Sequence, residues 1–382
     1  MCSDTAIWGA RHDRAMPRRP GVDRLTGAGS LLAAVVALGL VSAALAAPSA
    51  AGAPGGGRGL GAFRRVDSAM QRRVRGLGGG ATVVVHDRTT LFRRAYGGVH
   101  TSTVMPIASA SKWLTAATLM TLVDQGRLSL DDPVARFLPN FGGDKAAVTV
   151  RSLLSHTSGL PDSLCVGDPT STLRECVDQT AATVMPPSPG RVFHYSSVGY
   201  IVAGRIIEVL TGESFERAFE DRIATPVGMR RTRFDGATRI RSHNPDPSAA
   251  AISSVDDYAR FLDMLVHLGA SGTRQVLTPA SVLEIERDQV RGFDTSHDGA
   301  VAITRIPTYG LGVWRDVTDP ADATVVASGN GALGFYPWID RAHSDYGIVG
   351  VADEGPDQGP DQAVPASQRV ARLEWTVAAN GT

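Results

Sequence analysis

Strand-like segments lie towards both ends of this chain, and a long helical stretch separates them. The runs ATVVVHD and LFRRAYGGV are rich in β-forming residues and are joined by a turn. From about Leu119 to Val290 apolar residues recur at three- and four-residue spacing, and strand character returns from Tyr309 onward in YGLGVWRDV, ATVVASGNGALGFYPWID and YGIVGVAD. We therefore predict an α/β (α+β) fold, in which helices flank an antiparallel sheet and a mostly helical region is inserted between its strands.

The N-terminus has the pattern of an export signal. Two arginines precede the apolar run LLAAVVALGLVSAALAA, which ends in a small-x-small cleavage pattern. We predict a signal peptide over residues 1–46, with translation starting at Met16 if the leader is of ordinary length. An uncleaved anchor is the less favoured alternative, because the run is short and rich in alanine. We expect a secreted or cell-envelope protein with no stable membrane span after cleavage.

Composition limits the partners of the remaining chain. Residues 47–62 are predicted to be a flexible Gly/Ala/Pro linker, and residues 63–382 one folded domain. The formal net charge is zero, with 43% hydrophobic and 20% charged residues, as in globular proteins with a sizeable core. No basic stretch interleaved with aromatic residues is present, so we predict no nucleic-acid partner and expect small-molecule partners.

Two cysteines remain after the leader, Cys165 and Cys176. In an oxidising compartment, a pair that brackets a short loop is predicted to form a disulfide. Closing a loop of this size stabilises a fold by about 3 kcal/mol in the chain-entropy model. No CxxC, HExxH or clustered histidine pattern accompanies them, so we predict no metal and no cofactor.

The stretch PIASASKWLTA contains Lys112, one of only two lysines in a chain that otherwise uses arginine. If a helix begins near Ser109, the serine hydroxyl and the Lys112 amine three residues later share one helix face. A lysine can accept the serine's proton when burial lowers its pKa, whereas arginine stays charged. The alternative is a solvated lysine beside a serine that merely caps the helix.

Three further stretches extend this pattern. RSLLSHTSGLPD, FHYSSVGY and VVASGNGALG, together with SxxK, resemble the motifs of the serine β-lactamase and penicillin-binding protein family, in particular its class C and esterase-like branch. The resemblance runs from about Phe63 to the C-terminus and implies a β-lactamase/DD-peptidase-like fold. It implies Ser109 as nucleophile, Lys112 as its basic partner, and Tyr195 as a general base whose pKa the lysine lowers. We interpret His156, in the stretch RSLLSHTSGLPD, as a packed, hydrogen-bonded residue.

Two of these motifs depart from the family pattern. Ser197 stands where the family has an asparagine that contacts substrate, and Gly329 stands where it has lysine or histidine. In the second case Gly331 aligns with the motif glycine, and Asn330 is predicted to contact substrate by hydrogen bonding. The backbone N–H of the following Ala332 is expected to pair with that of the nucleophile in an oxyanion hole.

These departures concern the residues expected to contact substrate and not those expected to carry out acyl transfer. The resemblance implies a serine hydrolase that forms an acyl-enzyme on an ester, amide or peptide, and without a fixed cation for a carboxylate we rank esterase or broad acyl hydrolase first. A D-alanyl-D-alanine carboxypeptidase or β-lactamase comes second, and a non-catalytic ligand-binding protein third. The absence of a GxSxG pattern from the sequence disfavours the other common serine hydrolase fold.

Overall fold

The structure is a computed structural model that describes residues 59–381, except 164, 166, 167, 169, 186–190, 235–244 and 353–358. The described residues belong to one compact unit. The predicted signal peptide and the predicted linker up to residue 58 lie outside them. The last four residues of that predicted linker, Gly59–Ala62, form a single helical turn.

Six of the strands in the described chain form one sheet, and every neighbouring pair in it is antiparallel. The strands are β1 Gly79–His86, β2 Thr89–Gly97, β3 Met105–Pro106, β4 Ile252–Ser253, β5 Ala270–Ser271, β6 Arg274–Gln275, β7 Trp314–Thr318, β8 Thr324–Ser328, β9 Tyr336–Asp340 and β10 Asp345–Val351. Their order in the main sheet is β2-β1-β10-β9-β8-β7. The predicted antiparallel sheet is confirmed, with strands from both ends of the chain paired through β1 and β10.

The helical region is inserted between β2 and β7, as the sequence predicts. The α-helices are α1 Gly59–Ala62, α2 Arg64–Arg73, α3 Ser111–Asp124, α4 Val150–Leu154, α5 Leu173–Ala182, α6 Val198–Thr211, α7 Phe215–Phe219, α8 Thr225–Val227, α9 Val255–Val266, α10 Pro279–Glu286, α11 Gly299–Thr304 and α12 Pro360–Gly381. Among the residues described, no helix has both the length and the apolarity needed to cross a bilayer.

Both faces of the sheet are covered, which explains the almost continuous apolar sequence of β1. Val83 and Val85 point to the large core shared with α3 and α9, whereas Val84 points to a second core. In that second core Val84 and Trp338 pack with residues of α2 and α12. The two-residue alternation of a strand thus divides one apolar run between two layers.

Packing around α3 brings distant motifs together. Nearly every residue of α3 is buried, and it contacts α6, α7 and α10. Helix α6 lies close against α4. A Cβ at Gly199 would come within 2.3 Å of the Leu153 carbonyl oxygen, so this packing requires glycine. The residues that follow α4 and those that precede α6 are thereby held near each other, next to the start of α3.

The predicted disulfide is present. Cys165 and Cys176 are bonded, with their Cα atoms 5.3 Å apart, and both are buried. The bond joins the segment that follows α4 to α5.

Candidate active site

Ser109 lies in a tight turn that leads into α3. Residues Ala108–Ala110 form a 3₁₀ turn, and the α-helix itself begins at Ser111, two residues later than the sequence predicts. Ala108 has a φ of 45°, in the left-handed region that residues other than glycine rarely adopt. The Ser111 hydroxyl donates to the Ala108 carbonyl at 2.6 Å and accepts from the Ala251 N–H at 3.1 Å. These bonds fix the backbone on both sides of Ser109.

The side chains of Ser109 and Lys112 meet, as the SxxK spacing predicts. Lys112 Nζ donates to Ser109 Oγ at 3.2 Å, and the two residues are 1% and 6% exposed. Burial lowers the pKa of Lys112 to about 8, although the carboxylate of Asp246 opposes this change. The structure therefore excludes the alternative of a solvated helix lysine.

The surroundings of the lysine include a loop that the sequence analysis did not assign to the site. Lys112 Nζ also donates to the Ser248 carbonyl at 3.2 Å, and Thr115 donates to the Pro247 carbonyl at 2.6 Å. Asp246 accepts from the backbone N–H of Ser248 at 3.0 Å, so its carboxylate shapes this turn. The Asx-turn sequence DPS was the available signal, because an aspartate two residues before a serine favours such a bond.

Tyr195 completes the group around the nucleophile. Its hydroxyl is hydrogen-bonded to Ser109, and Lys112 Nζ lies 4.8 Å from the centre of its ring and 5.5 Å from that of Tyr200. Burial raises the pKa of Tyr195 above its usual value, and the bond to Ser109 only partly offsets this. The expectation that the lysine would lower this pKa is wrong, because loss of solvent disfavours the phenolate more than the neighbours favour it.

The backbone and ring of Tyr195 are held by residues from a later part of the chain. Asp298 Oδ2 accepts from the Tyr195 N–H at 2.8 Å, while Oδ1 accepts from the first N–H groups of α11. The ring stacks on Trp314 with 5.3 Å between centres. Sequence reasoning missed Asp298, since a helix-capping aspartate carries no sign of a second partner.

His156 is a packed residue in the same aromatic group, in agreement with the prediction. It is 3% exposed, its Nδ1 accepts from the Ser196 N–H at 3.2 Å, and its ring centre lies 4.4 Å from that of Tyr195. Burial, together with the positive charge of Lys112, holds the pKa of His156 well below its usual value. A neutral imidazole in this position supports Tyr195 without adding a second positive charge.

The glycine-rich stretch VVASGNGALG lies directly beside the turn that carries the nucleophile. The Gly329 N–H donates to the Pro337 carbonyl of β9 at 3.0 Å, and the Gly331 N–H donates to the carbonyl of Phe335, just before β9, at 2.8 Å. A Cβ on Gly331 would come within 2.3 Å of the Ile107 carbonyl oxygen, two residues before the nucleophile. Only glycine permits this approach. It places the following Ala332, which is 6% exposed, at the start of the turn that ends at Gly334.

Two other predicted residues are not seen to contact this group. Asn330 Oδ1 accepts from Ser328 Oγ at 2.9 Å, and Ser328 is bonded in turn to Tyr336, which packs in the core on the α12 side. The hydrogen bond described for the Asn330 side chain is therefore with this network and not with Ser109. Ser197 is partly exposed, and its backbone begins α6. A role in substrate binding stays a prediction for both.

The sequence is similar to one protein family over most of its length. The Beta-lactamase family model matches residues 66–371. Over 195 residues, or 50% of this chain and 51% of the relative, the chain is 34% identical to penicillin-binding protein 4 of Amycolatopsis lactamdurans. It is 31% identical to esterase EstB of Burkholderia gladioli over 196 residues, or 44% of this chain and 50% of the esterase. The matches thus span about half the length of these two relatives.

A solved structure extends the likeness over most of the fold. The crystal structure of a candidate β-lactamase from Bacteroides dorei superposes with a TM-score of 0.76 at 32% identity, and covers 83% of this chain and 99% of its own. The match of the family model over most of the sequence and the agreement in fold lead to the same result. This chain belongs to the β-lactamase family.

Proposed function

We propose that this protein is an exported serine hydrolase that forms an acyl-enzyme on Ser109, with esters or similar small acyl compounds as substrates. The observation that carries the proposal is the contact of Ser109 Oγ with the buried Lys112 Nζ at 3.2 Å, completed by the hydrogen bond between Ser109 and Tyr195. This is the arrangement of nucleophile, base and proton donor that acyl transfer needs.

The lowered pKa of Lys112 supports this residue as the first proton acceptor. With a pKa of about 8, roughly a tenth of the lysine side chains are neutral at pH 7. The neutral amine accepts the proton of Ser109 Oγ while this oxygen forms a bond to the substrate carbonyl carbon and the carbonyl π electrons move to oxygen. The N–H groups of Ser109 and Ala332 are proposed to stabilise that oxyanion.

Tyr195 is the proposed acid for the leaving group. Because its pKa is raised, it is a neutral phenol in the resting enzyme and donates its proton to the departing oxygen or nitrogen as that bond breaks. The Lys112 ammonium then returns a proton to the phenolate. Water attacks the acyl-enzyme with the same groups acting in reverse, which releases the acid and restores Ser109.

The strand beside the nucleophile favours substrates without an essential carboxylate. Gly329 provides no cation, and a Cβ at this position would lie 3.2 Å from the Trp113 ring and 3.3 Å from Pro337. Trp113 is fully buried, so packed side chains fill the space towards which a residue here would point. The lack of a cation at position 329 supports esterase chemistry over recognition of β-lactams or D-alanyl peptides.

Penicillin recognition is the second candidate, and one observation favours it: a relative matched over about half its length is a penicillin-binding protein.

Export is proposed on the predicted leader and on the disulfide between Cys165 and Cys176, a bond that is stable in oxidising compartments.

Intact-mass labelling with a fluorophosphonate and, separately, with a penicillin tests the proposal. We expect one fluorophosphonate adduct per chain, lost in Ser109→Ala and retained in Ser296→Ala, which changes an exposed serine. Adducts with both reagents would favour the second candidate. If neither reagent labels the wild-type chain, the protein is not this hydrolase and the non-catalytic alternative stands.

A further inference from the structure

A group of histidine and aspartate side chains lies at one end of the main sheet, on three adjacent strands. Asp345, the first residue of β10, is paired directly with His86 of β1 and with Asp340 of β9. Side chains at opposed positions share a face and lie about 4.5 to 5.5 Å apart at Cβ. His343, in the turn between β9 and β10, joins them: potential ligand atoms of Asp340, His343 and Asp345 all lie within 4.8 Å of one another.

The group lies on the opposite side of the sheet from the nucleophile. Residues two apart on a strand share a face, so Asp340 shares the face of Trp338, which packs in the core with α12. Ile107 and Ala110, on either side of Ser109, pack in the other core. The group is therefore separate from the acyl-transfer site.

Two carboxylates are buried opposite each other here. Asp340 is 3% exposed and Asp345 is fully buried. Like charges at opposed positions destabilise a sheet, and buried carboxylates need a compensating charge. The two histidines are partly exposed, so they connect this buried pair to solvent.

One carboxylate oxygen is left without a partner. His86 Nδ1 lies 2.8 Å from Asp345 Oδ1, while Asp345 Oδ2 is buried and has no hydrogen-bond partner among the described residues. Leaving a buried acceptor unpaired is costly. A bound cation would satisfy this oxygen, and His86 would then hold the carboxylate in the orientation that presents it.

We infer that Asp340, His343 and Asp345 form a binding site for a divalent transition-metal cation of the Zn²⁺ type, with His86 orienting Asp345. One imidazole nitrogen and two carboxylate oxygens suit this ion class, and solvent reaches the fourth position beside the partly exposed His343. Bonds of about 2.0 to 2.2 Å require the ligand atoms to move closer together than they lie here, by rotation of side chains at a hairpin.

The sequence alone did not predict this site, because it contains no closely spaced cysteine and histidine motif, and we expected no metal from it. Asp340, His343 and Asp345 follow one another in DRAHSD, a pattern that is also ordinary for a polar turn. His86 lies more than 250 residues away, and only strand pairing brings it alongside.

Metal binding is measured on the full chain, produced without a histidine tag and stripped with a chelator. Calorimetric titration with Zn²⁺ is expected to show one equivalent bound per chain, with a rise in Tm on saturation. His343→Ala is expected to lose at least tenfold in affinity, and His86→Ala roughly tenfold through loss of the orienting contact. With Co²⁺ as the probe, the visible absorption of the bound ion should disappear in His343→Ala.

The matched control is His297→Ala, which removes an exposed histidine that lies 3.3 Å from Asp294. It should bind Zn²⁺ like the wild-type chain. His343 is exposed enough for its variant to fold, and a Tm measured without metal will verify this. Asp345→Asn, which changes a buried ligand, is a second variant that should also lose affinity for Zn²⁺. No saturable Zn²⁺ binding by the wild-type chain, or unchanged affinity and stoichiometry in His343→Ala, would overturn the inference.

Discussion

Asp298 holds Tyr195 across more than a hundred residues of sequence: its Oδ2 accepts the Tyr195 N–H at 2.8 Å while its Oδ1 caps α11. We expect Asp298→Asn to lower kcat/KM by roughly tenfold, because an amide has one acceptor oxygen for two roles and a lost bond of this kind is worth about 1 to 1.5 kcal/mol. Asp294→Asn, which changes a nearby exposed aspartate, is the control. If Asp298 acts only on stability, Tm will fall while kcat/KM of the folded enzyme stays unchanged.

The activity should depend on the protonation of Lys112. Since burial lowers its pKa to about 8, kcat/KM for a neutral ester is expected to rise as the pH increases through 8 and then to level off. Tyr195, whose pKa is raised from its usual value of 10.0, should produce no falling limb below that pH. A rate that is flat between pH 6 and 9 would contradict Lys112 as the base.

Replacing the lysine tests the same assignment directly. Lys112→Arg keeps the positive charge but removes the ability to accept a proton, so acylation should fall by roughly 10²- to 10⁴-fold. The control is Lys145→Arg, the only other lysine of the sequence, which is also buried and paired with Asp144 at 3.0 Å. The burst of product in stopped-flow mixing should be retained in this control and lost in Lys112→Arg. Equal bursts in both would count against the base assignment.

The close approach of Gly331 to the nucleophile turn predicts a large effect from one methyl group. Gly331→Ala would push a Cβ against the Ile107 carbonyl oxygen, and we expect a loss of about 1 to 3 kcal/mol in the free energy of unfolding and more than tenfold in kcat. Gly98→Ala, which meets nothing within 4 Å, should change neither. Urea unfolding and ester hydrolysis measure the two quantities, and a Gly331→Ala enzyme of normal stability and rate would show that the strand is not packed there.

A buried carboxyl between the sheet and α12 predicts how stability changes with pH. Glu374 accepts from Trp338 Nε1 at 2.8 Å and from Thr82, and burial raises its pKa from 4.5 to about 7. The folded state therefore binds this proton more tightly, so the stabilisation is complete below pH 4.5 and is lost as the pH rises through 7. The free energy of unfolding of Glu374→Gln, relative to that of the wild-type chain, should therefore increase by on the order of 3 kcal/mol as the pH rises from 4.5 to 8.

Urea unfolding at several pH values measures this difference. The control is Glu213→Gln, an exposed position, and its difference from wild type should not vary with pH. A constant difference for Glu374→Gln as well would mean that the pKa of Glu374 is the same in the folded and unfolded states.

Local sequence patterns predicted Ser109 and Lys112 better than the distant residues that contact the site. The three-residue spacing of Ser109 and Lys112 is enough to bring their side chains together, because helical geometry is local. The pKa of Tyr195 was predicted to fall but is raised, since it depends on how much solvent the surrounding rings exclude. Asp298 was missed for a related reason, because its contact with Tyr195 exists only after two distant segments pack together.

The sequence by itself determined the class of fold, the SxxK pair, and the disulfide, since each depends on periodicity, spacing or residue type within a short stretch. The tertiary structure decided the burial of Lys112, the raised pKa of Tyr195, and the contact of Gly331 with the nucleophile turn. Burial and cross-strand pairing join residues far apart in the chain, and the free energies of ionisation and close packing depend on those neighbours rather than on the order of residues.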